Sequence, residues 1–166
     1  LEVVGTSSDG VVVLDDFAHH PTAVAETLAG LRAANPDRRI WAVFEPRSAS
    51  SCRRVFQDDF ARSFSSATEV ILAPVFRSTL PESERLSIET LVRDLQKQGQ
   101  SARAAASLDA IVEAIVDGHH AGARTGLDRH VAHGHPAFHR KRTDRRPAKL
   151  DRIAGAASRA DLADDG

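Results

Sequence analysis

Two carboxylates and two imidazoles fall within seven residues, Asp15-Asp16-Phe17-Ala18-His19-His20-Pro21. These residue types suit Zn²⁺ or Mn²⁺, so a metal-dependent hydrolase built on Asp15, Asp16, His19 and His20 is one reading. Against it, no further well-placed ligand is visible across residues 22–117, where histidine is absent. An imidazole beside a polyphosphate donates when protonated and remains a hydrogen-bond partner when neutral. Each group also has a plainer use. Asp16 can be a carboxylate favoured by the dipole of a following helix. Asp15 can order its loop, and His20 can cap a helix that begins at Pro21.

Further along, Arg47 directly follows an apolar run, and a guanidinium at a strand end suits a carboxylate or phosphate bidentately. Ser48 and Ser51 are ordinary loop residues able to donate to the same group. Arg53 and Arg54 open the next helical segment, so one of them faces whatever Arg47 faces. Arg77 lies in a long loop, with a solvated surface role as its bland reading. Cys52, the only cysteine, has no base nearby in sequence and reads as an inert thiol.

These groups need elements to hold them. Leu1–Gly5 is β-prone, Asp9-Gly10 is turn chemistry, and Val11–Leu14 is a run of aliphatic residues fitting a strand buried on both faces. Pro21 suits the first turn of a helix. Val24, Leu28 and Leu31 carry that helix at i, i+4, i+7 to Asn35-Pro36. Arg39–Phe44 is a third strand. Val55, Phe56, Phe60 and Phe64 predict a second helix over 51–65 with an aromatic inner stripe. Glu69–Leu72 is a fourth strand, and the loop from Ala73 to Leu86 is long enough to be functional. Ser87 caps a third helix with Ile88, Leu91, Val92 and Leu95 inward, ending at Gly99. Ser101–Ala106 is a weak strand. Ser107 caps a fourth helix with Leu108, Ile111, Val112 and Ile115 inward. Regular strand–helix alternation predicts an α/β, Rossmann-like, mostly parallel sheet with helices on both faces.

Composition separates two regions. The chain has 166 residues and net charge −1, which gives no signal of nucleic-acid or membrane binding. Residues 1–117 carry −5 and residues 118–166 carry +4. Six of the eight histidines lie in the second region: His119, His120, His130, His133, His135 and His139. Their spacings fit no metal motif. Apolar periodicity nearly vanishes after Gly118, so the reading is an α/β domain over 1–117 and a basic, His/Arg-rich tail over 118–166, poorly ordered or read in a shifted frame. No segment reads as a transmembrane span or signal peptide, and one cysteine fits a reducing compartment. The chain opens at Leu1 in what reads as a strand, as a fragment of a longer protein would.

Three motifs carry a family resemblance: Asp15-Asp16-Phe17-Ala18-His19-His20-Pro21-Thr22-Ala23, Phe44-Glu45-Pro46-Arg47-Ser48, and Ala73-Pro74-Val75-Phe76-Arg77. Together they resemble the C-terminal domain of the Mur ligases. The second motif is nearest the recycling branch, the UDP-N-acetylmuramate:L-alanyl-γ-D-glutamyl-meso-diaminopimelate ligases. The resemblance covers residues 1–117. It implies a cytoplasmic enzyme of peptidoglycan recycling that uses ATP and Mg²⁺ to join a tripeptide to UDP-N-acetylmuramate through an acyl phosphate. It also implies a partner: a central domain of the same protein that carries the P-loop and most Mg²⁺ ligands. This chain has no Gly-x-x-x-x-Gly-Lys-Ser/Thr sequence, so it is not expected to ligate alone, and no catalytic residue is assigned within it.

By the same resemblance Asp16, His19 and His20 face the nucleotide. Arg47, Ser48, Arg53 and Arg77 face the substrate, and the domain acts as a closing lid that orients reactants. The chain departs from the family after Gly118, where a strand and a Gly-rich turn are expected and neither is legible. If that strand is missing, the sheet lacks an edge. The rival from a different class is a stand-alone nucleotide-binding module without chemistry.

Overall fold

A computed structural model of the chain describes residues 1–8, 10–76, 79–123 and 130–134, with the backbone alone for 119–123 and 130–134. Among the described residues six strands form one sheet. They are β1 (Glu2–Thr6), β2 (Val12–Asp15), β3 (Arg39–Phe44), β4 (Glu69–Leu72), β5 (Ser101–Ala104) and β6 (His130–Gly134), in the order β1-β2-β6-β3-β4-β5. Only the β1–β2 pair is antiparallel; the other four pairs are parallel. Gly10, at φ 89°, supplies the positive φ that the β1–β2 turn requires.

Four helices connect the strands: α1 (Pro21–Ala34), α2 (Gln57–Ser63), α3 (Ile88–Lys97) and α4 (Leu108–Ala123). The strand order explains their placement. From β2 through β5 the chain moves in one direction across the sheet, and from β5 it returns to the middle. Right-handed crossovers then put α1, α2 and α3 on one face and α4 on the other. The cores agree. Val24, Leu28, Phe60, Phe64, Leu91 and Leu95 pack with Leu14, Ile40, Val70 and Leu72 on the first face. Ile111, Ala114 and Ile115 pack with Trp41, Val43 and Ile71 on the second. The predicted α/β, Rossmann-like architecture with helices on both faces is the one observed.

The strands end in step. Asp15 is opposite Gly134, Gly134 opposite Val43, Phe44 opposite Leu72, and Leu72 opposite Ala104. The loops after β2, β3, β4 and β5 therefore leave from one edge of the sheet, where ligands bind in open α/β folds.

Three expectations change. The second helix is shorter than 51–65: a 3₁₀ turn, Arg54–Phe56, precedes α2. Within that turn Val55 points outward and is 74% exposed, so the inner stripe is Phe60 and Phe64 without it. Second, α4 runs past the expected boundary at residue 117 to Ala123, and β6 comes from a stretch in which no strand is legible. Third, β6 is no edge; it lies between β2 and β3. The tail residues beyond Gly134, including His135 and His139, lie outside the described residues.

Candidate functional site

Each loop at the carboxyl edge is fixed by its own backbone chemistry. After β2, the Oδ1 of Asp16 accepts the Ala18 N–H at 3.3 Å, which tightens the turn in the manner of short Asx loops. The first turn of α1 contains no acid. Asp16 is thus a loop-ordering residue here rather than a group placed against the helix dipole. Asp15 closes β2, and its Oδ1 is buried with no hydrogen-bond partner among the described residues.

The two histidines have opposite commitments. The Nδ1 of His19 lies 2.9 Å from the Phe17 carbonyl oxygen. A carbonyl only accepts, so Nδ1 carries the proton and Nε2 of the neutral ring is an acceptor. The Nδ1 of His20 accepts from the Thr22 N–H at 3.4 Å and caps α1, so Nε2 of that ring carries the proton. His20, an exposed residue, is therefore the helix cap. Its ring also meets Phe56 edge-on at 5.0 Å, which ties the β2 loop to the segment after β3. Phe17, 73% exposed, stands edge-on to His19 at 5.0 Å.

After β3 the chain turns through Glu45-Pro46-Arg47-Ser48. The Ser48 hydroxyl donates to Ser51 Oγ at 2.8 Å and accepts the Ser51 N–H at 2.9 Å, so it is spent on the turn. Arg47 is different. Its guanidinium lies 3.9 Å from the centre of the Phe76 ring, and its Nη1 is 3.5 Å from Glu45 Oε2. No hydrogen bond links the Arg47 side chain to any described residue. Burial pushes the Glu45 carboxyl above its ordinary range, with Arg47 pulling it part of the way back. Burial likewise pushes the Cys52 thiol up, in keeping with an inert cysteine that sits against the Pro46 carbonyl.

The β4 loop closes over this turn. Phe76 N–H donates to the Pro46 carbonyl at 2.9 Å, and Leu86 N–H to that of Cys52 at 2.8 Å. Arg53, an exposed residue, bridges to Arg85 on the same loop, and Arg85 is anchored through Nη2 to the Leu80 carbonyl at 2.7 Å. Arg77 lies outside the described residues. The turn after β3 and the β4 loop thus form one knitted unit. The β2 loop stands across β6, two strand spacings or roughly 10 Å away. Among the described residues no three His, Cys, Asp or Glu side chains converge as a metal site, and the hydrolase reading gains no ligand set from the geometry.

Sequence reasoning passed over Glu45 and Phe76, the two neighbours that shape the surroundings of Arg47. Both stand inside the quoted motifs, one two residues before Arg47 and the other in the third motif. Phe76 reaches Arg47 from the next loop, a contact with no local signal.

Fold and site define an α/β domain whose charged loops gather at the carboxyl edge of a mostly parallel sheet. The chain belongs to the Mur ligase family: the family model described as Mur ligase, glutamate ligase domain, matches residues 1–125. It is 40% identical over 103 residues to the UDP-N-acetylmuramate–L-alanine ligase of Desulfitobacterium hafniense (strain Y51), a match over 61% of this chain and 23% of that protein. Among solved structures, it is similar to a domain assigned to a UDP-N-acetylmuramate:L-alanyl-γ-D-glutamyl-meso-diaminopimelate ligase of Haemophilus ducreyi 35000HP. The TM-score is 0.61 at 26% identity, over 94% of this chain and 98% of that one. It is also similar to a murein peptide ligase of Psychrobacter arcticus 273-4, with a TM-score of 0.59 at 26% identity over 81% of this chain and 26% of that one. The chain thus spans about a quarter of the length of the curated relative it matches. Among the described residues no helix is long and apolar enough to cross a membrane.

Proposed function

We propose that this chain is the C-terminal lid of a cytoplasmic, ATP-dependent ligase that joins L-alanyl-γ-D-glutamyl-meso-diaminopimelate to UDP-N-acetylmuramate in peptidoglycan recycling. It works against a central ATP-binding domain of the same protein. The observation that carries this reading is Arg47: a guanidinium at the carboxyl edge, stacked on Phe76, with no N–H hydrogen-bonded to a described residue. Such a group is ready for an oxyanion, either a carboxylate of the peptide or a phosphate. Arg53 adds positive charge on the segment after β3, Ser48 shapes the turn that presents Arg47, and Arg77 is a substrate-side candidate on the family resemblance alone.

The nucleotide side would be the β2 loop, where His19 offers an acceptor nitrogen and His20 a donor, with Asp16 holding the loop. These residues fit one half of a nucleotide site; the phosphate-cradling half belongs to the central domain. ATP, with Mg²⁺ held mainly by that domain, would supply the phosphoryl group that activates the muramoyl carboxylate. The residues of this chain bind, orient and exclude water as the lid closes.

The 40% identity to an L-alanine-adding ligase favours a second reading, in which the acceptor is free L-alanine. The test is ligation by the full-length enzyme with each acceptor, in wild type and in Arg47→Ala and His19→Ala. The tripeptide reading expects turnover with tripeptide and little with L-alanine, a higher KM for peptide or ATP in Arg47→Ala, and a higher KM for ATP in His19→Ala. Preference for L-alanine would replace the substrate assignment. Normal kcat and KM in both variants would overturn the site.

A further inference from the structure

Resting on the reading of Arg47 as an oxyanion anchor, we propose that Glu45 and Phe76 are positioning residues that hold the Arg47 guanidinium in one orientation with its N–H groups unspent. A free arginine side chain samples many rotamers, and fixing it on binding costs conformational freedom. In this structure the guanidinium already has two neighbours that restrict it. Phe76 supplies a flat apolar face at 3.9 Å, which constrains the plane of the guanidinium without consuming a hydrogen. The two sides of the stack cannot drift apart, because Phe76 N–H is bonded to the Pro46 carbonyl between Glu45 and Arg47.

Glu45 fixes the remaining rotation. Its Oε2 is buried with no hydrogen bond among the described residues and stands 3.5 Å from Arg47 Nη1. That separation is an ion pair without a committed donor. The side chain of Arg47 is 30% exposed and that of Glu45 17%, so the arginine is the more accessible member of the pair. A ligand carboxylate that binds an unheld arginine bidentately must bear the full cost of ordering it. The clamp removes it in advance, which is what preorganised first contacts achieve.

The decisive measurement is a double-mutant cycle in the full-length ligase. Phe76→Leu keeps an apolar side chain but removes the ring. It is expected to raise one KM about tenfold, the scale of a partly desolvated cation–π contact, with kcat within about twofold of wild type. Phe76→Tyr restores the ring and is expected to restore KM. Glu45→Gln keeps shape and removes charge, with an expected rise of about threefold in the same KM. In the Arg47→Ala background neither change is expected to cost anything further, since the group they hold is gone. A rise in KM for the peptide identifies the oxyanion as a carboxylate; a rise in KM for ATP identifies it as a phosphate.

Equal costs with and without Arg47 would overturn the positioning role while leaving Arg47 as the anchor. A fall in KM for Glu45→Gln would mean that Glu45 merely neutralises Arg47, and would overturn its part. No change in either KM for Arg47→Ala would sink the anchor itself, and this inference with it.

Discussion

Two arginines at opposite edges of the same sheet are used in opposite ways. Arg32, at the amino edge, gives Nε to the Ser66 carbonyl at 3.3 Å. Its Nη1 reaches the carbonyls of Asn35, Pro36 and Arg38 at 3.4, 3.1 and 2.7 Å, and its Nη2 reaches Thr68 Oγ1 at 3.0 Å. That Thr68 oxygen also accepts from Ile40 N–H at 3.0 Å, so Arg32 ties the end of α1 to the starts of β3 and β4. Arg47, at the carboxyl edge, is stacked and ion-paired but hydrogen-bonded to no described residue. A guanidinium whose three nitrogens all donate to the groups around it stabilises the fold. One that is held in place with its donors unspent is a receptor. Residue type is the same in both cases, and the difference lies in what surrounds it.

The comparison breaks most plainly by exchanging the effects. Arg47→Ala is expected to lower kcat/KM of the full-length enzyme about 100-fold, the worth of one lost charge-assisted contact, and to leave thermal unfolding nearly unmoved. Arg32→Ala is expected to do the reverse. It leaves KM near wild type and lowers unfolding free energy by about 2 kcal/mol, read from urea denaturation. If both variants change the same quantity, the division between a structural and a functional edge fails.

On the other face of the sheet, Gly118 tests the packing of α4. A Cβ at this position would stand 2.0 Å from the Trp41 ring, which is 1% exposed and flanked by the guanidiniums of Arg39 and Arg103. Gly118→Ala is therefore expected to cost about 1–3 kcal/mol through overpacking, despite the better helix propensity of alanine. Retention of full stability would mean that α4 is not seated against Trp41.

The smallest effect concerns Glu45. Its pKa is raised by burial, so the folded state holds the proton more tightly than the unfolded state. Above the raised pKa the buried carboxylate is a net cost; below the ordinary value both states are protonated and the cost is gone. Glu45→Gln is thus expected to unfold slightly later than wild type at neutral pH, an advantage that fades as pH falls through the raised pKa towards 4.5. Thermal melts across that range check it. A stabilised variant with a weakened KM would show that this edge gives up stability for orientation.

Much of the frame is legible in the residues. Pro21 with Val24, Leu28 and Leu31 specified α1, and Ser87 with Ile88, Leu91 and Leu95 specified α3, because helix starts and buried stripes are local signals. The three motifs are legible too, and the family match bears out the resemblance they carry. By contrast β6, His130-Val131-Ala132-His133-Gly134, has one β-branched residue and no alternation. It is a strand because β2 and β3 supply hydrogen-bonding partners on both of its sides. Strand preference of this kind belongs to the surroundings more than to the segment.

The site divides in the same way. The order and chemistry of Asp15–Pro21, Glu45–Ser48 and Ala73–Phe76 are written in the chain. That they leave one sheet edge in step, that His20 caps α1 while touching Phe56, and that Arg47 rather than Arg32 keeps its donors unspent were decided by tertiary structure. The physical reason is range. Helix caps and apolar stripes are settled within a few residues, whereas the partners that satisfy Arg32 lie up to 36 residues away and the ring that holds Arg47 lies on the next loop of the sheet.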